Sequence, residues 1–153
     1  MLFQGAYVQA SPMQAVHDAV KALAQASGAM ERRKAIQALE AAALQNSQAE
    51  QPLTHHFTDG LYAREILNPK GSLIVTQTHK EHNFSFVMRG HLLVITEDGQ
   101  KELKAPAWFQ TKPGTKRVLY ALEETVFVTV HPNPTNTQDT AFLEERIATK
   151  EDL

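Results

Sequence analysis

The spacing of hydrophobic residues along the chain changes period once, close to Phe57. Before that point the pattern is helical. Ser11-Pro12-Met13-Gln14 offers an N-cap serine, a proline in the first turn and a glutamine at the capping-box position. Met13, Val16, Val20, Leu23 and Ala24 then fall on one helical face, and Gly28 supplies a stop. A second helix is expected from about Met30 to Gln48, with Ile36, Leu39, Ala43 and Leu44 as a weaker stripe. Its alanine content favours helix but buries little area. The hairpin is therefore expected to pack on the next domain or on a partner subunit.

After Phe57 the period is two. Short β-like runs are expected at 61–67, 72–78, 84–89, 91–97, 108–111, 116–121 and 125–131. Asn68-Pro69-Lys70-Gly71, Arg89-Gly90, Asp98-Gly99, Ala105-Pro106 and Pro113-Gly114 separate them, and Thr96–Gln100 carries a two-residue hairpin signal. Many short strands at this spacing predict a sandwich or small barrel. Pro132-Asn133-Pro134 is expected to break the sheet, and Thr140–Ala148 to form a last short helix in acidic surroundings. The divisions expected are a helical extension over 1–52, a barrel over 53–132 and an acidic tail over 133–153.

With 153 residues and 42% hydrophobic content, the chain can bury one good core. A formal net charge of −2 offers no bulk attraction to nucleic acid or an anionic membrane, and the basic runs Arg32-Arg33-Lys34 and Lys116-Arg117 are short. The absence of cysteine excludes a disulfide framework, a thiolate metal site and a cysteine nucleophile. No stretch has the length and apolarity of a membrane span, and residues 1–28 lack the pattern of a signal peptide, so a cytoplasmic protein is expected. Leu2-Phe3-Gln4-Gly5 resembles part of a viral protease cleavage sequence, and nothing here depends on it.

Gly71, Gln77, His79, Asn83 and Gly90 stand at the intervals of the first motif of the cupin superfamily, and the chain resembles that superfamily here. In the family those positions hold glycine, two histidines, a glutamate and glycine, three of them metal ligands. The second motif is approximated by Pro113-Gly114-Thr115-Lys116, with Arg117 where the last histidine ligand would stand. From His56 to His131 the sequence is most similar to small cupin-like proteins of tailed bacteriophages. The matching residues include His56-Phe57, Gly60, Tyr62, Arg64-Glu65, His79-Lys80 and Gly114-Thr115-Lys116-Arg117. The resemblance implies a mainly β fold: a single cupin-type double-sheet β-barrel with an N-terminal helical hairpin and a short C-terminal helix.

The ligand positions argue against the family's metal. Gln77 and Asn83 offer only amide oxygens, and a guanidinium at Arg117 repels a divalent cation. A fixed positive charge there suits a carboxylate or phosphate instead. Tyr62 and Arg64 share one face of their strand with Ile66, opposite Glu65, and either Arg64 or Glu65 points inward. His131 shares a face with Phe127 and Thr129. It either looks into the barrel or sits half exposed at the strand end, the commoner state for a histidine. His79 and His82 are expected to diverge, as are His55 and His56. Tyr120 is expected to face away from Arg117, one of Trp108 and Phe109 to pack in the core, and Lys112 and Lys116 to be solvated. No hydrolase elbow, phosphate loop or dinucleotide fingerprint is present.

The leading expectation is a non-enzymatic binding protein without metal or cofactor. It would hold a small anionic molecule through Gln77, His79, Asn83, Arg117, Arg64, Tyr62 and His131. The phage resemblance implies action in an infected host cell, with a host protein as a second kind of partner. One alternative is a cupin isomerase or lyase, with His79 as general base and Arg117 on an enolate-like oxyanion, or a metal-dependent version using His79 with His131 or His82. The other is a phage structural or assembly protein acting through its N-terminal helices. Homodimerisation through sheet edges, with the helices as added surface, is expected.

Overall fold

The computed structural model describes residues 6–8, 14–45 and 51–149. In chain order the elements are β1 (Ala6–Val8), α1 (Gln14–Gln25), α2 (Gly28–Leu44), β2 (Leu53–Thr58), β3 (Gly60–Asn68), β4 (Leu73–Val75), β5 (Thr78–His79), β6 (Asn83–Arg89), β7 (His91–Thr96), β8 (Gly99–Lys104), β9 (Ala107–Thr111), β10 (Arg117–Ala121), β11 (Thr125–Asn133), α3 (Thr140–Ile147) and β12 (Ala148–Thr149). Two five-stranded antiparallel sheets face each other, β1-β4-β10-β7-β8 and β2-β3-β11-β6-β9. The first is sheet A and the second sheet B. A short β5–β12 ladder joins the segment after α3 to His79.

The helices differ from expectation in detail. The expected Ser11 cap lies outside the described residues, as does the expected extension of the second helix to Gln48. Gly28, at φ +79°, opens α2 and does not close α1. Glu31 steadies the junction by accepting from both the backbone N–H and the hydroxyl of Ser27, at 2.9 and 3.1 Å. The apolar stripes are narrower than the spacing suggests. Leu23, Ile36, Leu39 and Ala43 are buried against Leu73, Val75 and Val118 of sheet A, while Val20, Ala24 and Leu44 are exposed.

The hairpin packs on the barrel of its own chain, and polar contacts fix it there. Arg32 Nε donates to the Glu97 carbonyl at 2.6 Å, and Arg33 Nη1 donates to the Gly114 carbonyl at 2.8 Å. Glu40 forms an ion pair with Lys116, whose side chain is wholly buried. Lys116 was expected in solvent; the docked helix α2 covers it and supplies its counter-charge.

Alternation sorts the barrel interior into layers. Toward one end the inward side chains are apolar: Val87, Phe127 and Ile66 lie on consecutive strands of sheet B and pack with Ile74, Leu119 and Val94 of sheet A. Toward the other end the inward residues turn polar. Ser85, Thr129 and Arg64 form one rung of sheet B, and Thr76 and Arg117 meet on sheet A. Gly90 sits at φ +91°, and a Cβ there would lie 2.2 Å from the Glu124 carbonyl, so only glycine fits.

The strands depart from the expected set in two ways. The run at 72–78 divides into β4 and β5, and β1, β2, β8 and β12 are additional. Strand β8, Gly-Gln-Lys-Glu-Leu-Lys, has no apolar alternation because it is an edge. Pro132 stays within β11, opposite Leu61, where β6 no longer flanks it and no N–H is required on that side. Helix α3 follows as expected, capped by Asp139, which accepts from the N–H groups of Ala141 and Phe142. It buries Leu143 and Ile147 against Tyr62 and closes the polar end of the barrel.

Candidate functional site

Strand β5 presents His79 from the polar end. Its backbone N–H donates to the Thr115 carbonyl at 2.9 Å, and Nδ1 lies 3.2 Å from the same oxygen. A carbonyl can only accept, so Nδ1 carries the proton and Nε2 presents a lone pair inward. That lone pair accepts from Arg117 Nη2 at 3.2 Å. Burial, and then the charge of Arg117, lower the His79 pKa to about 3, so the ring is neutral.

Arg117 opens β10 and is only 1% exposed. Its backbone N–H donates to Thr76 Oγ1 at 3.1 Å, which anchors the residue to β4's neighbour segment. The guanidinium lies 5.1 Å from the centre of the Phe109 ring. Its Nε has no hydrogen-bond partner, and among the described residues no carboxylate pairs with it. Burial lowers its pKa to about 9, with Arg64 adding to the effect, which leaves it charged at neutral pH. A buried cation without a carboxylate is costly, and in folded proteins such groups mark sites where something else supplies the charge.

Arg64 points inward, settling the choice between it and Glu65, which instead meets His56 at the surface, 2.9 Å away. Burial lowers the Arg64 pKa to about 10, while Tyr62 and Glu144 act in the opposite sense. His131 also faces inward and is 2% exposed, which corrects the half-exposed placement expected at the strand end. The valine face of β11 is the outer one, and the helices cover sheet A, so His131 is left on the barrel side. Its Nε2 meets Thr129 Oγ1 at 2.9 Å, and Nδ1 has no partner. Burial, then Arg64, hold it well below the ordinary histidine pKa.

His79, Arg117, Arg64 and His131 therefore converge, together with Thr76 and Thr129, on a small cavity of about 20 Å³. Ile147 and Ala148 complete its wall. The other expected site residues do not line it. Gln77 lines a groove with Lys80 and Glu144, and Asn83, inward on β6 beside Ser85, lines another with His131, Thr111 and Pro132. Tyr62 stacks on Phe57 and His131 and meets His55 Nδ1 at 2.6 Å, so it buttresses the site from behind. Thr76 and Thr129 were not anticipated. Thr129 was already on the His131 face by its spacing, whereas Thr76 needed the β4–β10 register.

Other expectations hold: His82 is exposed while His79 is buried, Tyr120 packs toward the helices, and Phe109 stacks on Phe127 while Trp108 is 61% exposed.

The donor set does not fit a catalytic metal. The inward lone pair of His79 is taken by a guanidinium, Gln77 lines a separate groove, and Asn83 Oδ1 accepts from Ser85 Oγ at 3.3 Å. Among the described residues no three His, Cys, Asp or Glu side chains are grouped to hold an ion.

No protein-family model matches the chain, and no curated protein is significantly similar to it. Solved structures do match. A salicylate 1,2-dioxygenase from Pseudaminobacter salicylatoxidans superposes with a TM-score of 0.53 at 13% identity, over 65% of this chain and 30% of that one. KdgF from Halomonas sp. gives a TM-score of 0.48 at 17% identity, over 60% and 81% of the two chains. A cupin-2 domain protein from Shewanella frigidimarina gives 0.45 at 16%, over 57% and 84%. The likeness is one of fold: the chain is a mainly β, cupin-type double-sheet sandwich carrying N-terminal helices. Among the described residues no helix is long and apolar enough to cross a membrane.

Proposed function

We propose that this chain is a metal-independent, non-enzymatic binding protein whose cupin barrel recognises the anionic group of a small molecule at Arg117. The observation that carries this reading is the buried Arg117 guanidinium, held by a neutral imidazole and a ring face with no carboxylate against it. Arg64 adds a second buried cation on the same cavity. The Thr76 hydroxyl and the unpartnered Nδ1 of His131 complete a wall able to hydrogen-bond an oxyanion, with Thr129 donating to His131 Nε2.

The general-base role for His79 is less well supported. A ring with its pKa near 3 is a weak base at neutral pH, and its lone pair already accepts from Arg117. The helices are also engaged with their own barrel, which weakens the reading of an assembly protein acting through them. Action in an infected host cell rests on the sequence resemblance alone.

The test is thermal unfolding in a series of sodium salts at constant ionic strength. Small carboxylates or phosphate should raise the Tm of the wild type and not that of Arg117→Gln. Equal responses in the two proteins would refute the reading.

A second copy of the chain is the partner we infer, seated on the outer face of sheet B in place of the sheet edges. Leu61, Phe84, Met88 and Trp108 are exposed there around Val126, Val128 and Val130. Four strands by about six residues give on the order of 600 Å² of accessible area per partner, or about 1,200 Å² in all, enough for a stable dimer. Of the bordering polar groups, Arg89 pairs with Glu124 at 2.6 Å and Glu65 meets His56 at 2.9 Å.

A further inference from the structure

The inner cavity has room for about one water molecule, so it can take one oxygen of an anion and not the body of a ligand. Helix α3 and the β5–β12 ladder close the polar end of the barrel over it. Arg117, however, has a second exposure. It also lines a cleft of about 260 Å³ that opens between the edge strands β8 and β9, where the two sheets do not close on each other.

The inward positions of those edges are chemically distinct from the rest of the barrel. On β8 they are Lys101, opposite Val94, and Leu103, opposite Leu92. On β9 the inward ring is Phe109, opposite Ser85 and against the Arg117 guanidinium. Val94, Leu103 and Phe109 make apolar walls, and the charged groups on the cleft are Arg117, Lys101, Lys112 and Asp98. Three cations against one carboxylate leave the cleft positive. Arg117 is the buried member, with its Nε unpartnered.

We propose that this cleft, and not the closed end of the barrel, seats the ligand, and that the ligand is a small organic monocarboxylate with an apolar or aromatic body. The carboxylate takes the Arg117 fork at the floor, the body lies between Leu103 and Phe109, and Lys101 and Lys112 stand at the mouth. The volume suits a molecule smaller than a typical drug. The apolar walls separate this class from phosphate or sugar acids, which would leave hydroxyls facing Val94 and Leu103 without partners. This inference rests on Arg117 being the anion site.

The experiment is titration of isotope-labelled full-length protein with benzoate, acetate and bromide, followed by amide chemical shifts. Benzoate should perturb the amides of residues 101, 103 and 109 saturably and bind at least tenfold more tightly than acetate. Leu103→Trp, which fills the cleft from an edge strand, should weaken benzoate at least tenfold while leaving the bromide response intact. Arg117→Lys, which keeps the charge but loses the fork, should weaken both carboxylates. Benzoate binding unchanged in Leu103→Trp, with both carboxylates still weakened in Arg117→Lys, overturns the cleft and spares the anion site. Carboxylate binding unchanged in Arg117→Lys overturns both.

Discussion

Arg117 Nη2 donates to His79 Nε2 at 3.2 Å, so a guanidinium occupies the lone pair that a metal ion would otherwise use. The tautomer is fixed from behind by the Thr115 carbonyl. On the proposed reading, Arg117 supplies by covalent attachment the positive charge that a bound ion would carry, with the selectivity of its planar fork.

Arg117→His should reverse the exchange. It frees His79 Nε2 and adds an imidazole to a cavity that His131 already lines. Zinc affinity, followed by competition with a chromogenic chelator, should rise at least tenfold over the wild type. No gain would mean that the inward histidines do not converge as described.

Acid should destabilise the protein before its carboxylates titrate. His79 and His131 are held below the ordinary histidine value in the folded state. The unfolded chain therefore binds more protons below about pH 6.5. The His79 contribution is complete above that pH and is lost as pH falls toward about 3, at up to about 1.4 kcal/mol per pH unit, and His131 acts in the same direction. Urea unfolding between pH 7 and 4 should show a steeper loss in the wild type than in His79→Gln. Parallel curves would contradict a buried neutral His79.

Much of this was legible in the residue order. The glycine positions and the period-two runs located most of the strands, because Gly90 answers to a backbone approach that no side chain survives and alternation answers to the pleat. What stayed hidden depends on contacts distant in sequence. Lys116 looks solvated until helix α2 brings Glu40 to it, and Gln77 looks like a ligand until the strand divides at Thr76. The inward turn of His131 follows from which sheet the helices cover, and no local pattern specifies that.

The Glu40–Lys116 pair joins the helical hairpin to the barrel. Glu40→Ala strands a buried ammonium and should cost about 3–5 kcal/mol in chemical denaturation. Replacing both residues by methionine should recover most of that loss. A small effect of Glu40→Ala would show the helices to be loosely attached.

The outer face of sheet B should govern association. Trp108→Glu places a charge beside Phe84, whose ring meets the indole edge-on at 5.9 Å. Sedimentation velocity should give a dimer for the wild type and a monomer for the variant, with unchanged far-UV circular dichroism. A monomeric wild type at tens of micromolar would refute the dimer, and a dimer insensitive to Trp108→Glu would place the interface elsewhere.

The most direct measurement is elemental analysis by plasma mass spectrometry of protein purified without a polyhistidine tag or chelator. With Arg117 as the cationic centre, iron, manganese, nickel and zinc should each fall well below about a tenth of an equivalent. About one equivalent of any of them would contradict Arg117 as the cationic centre of the site.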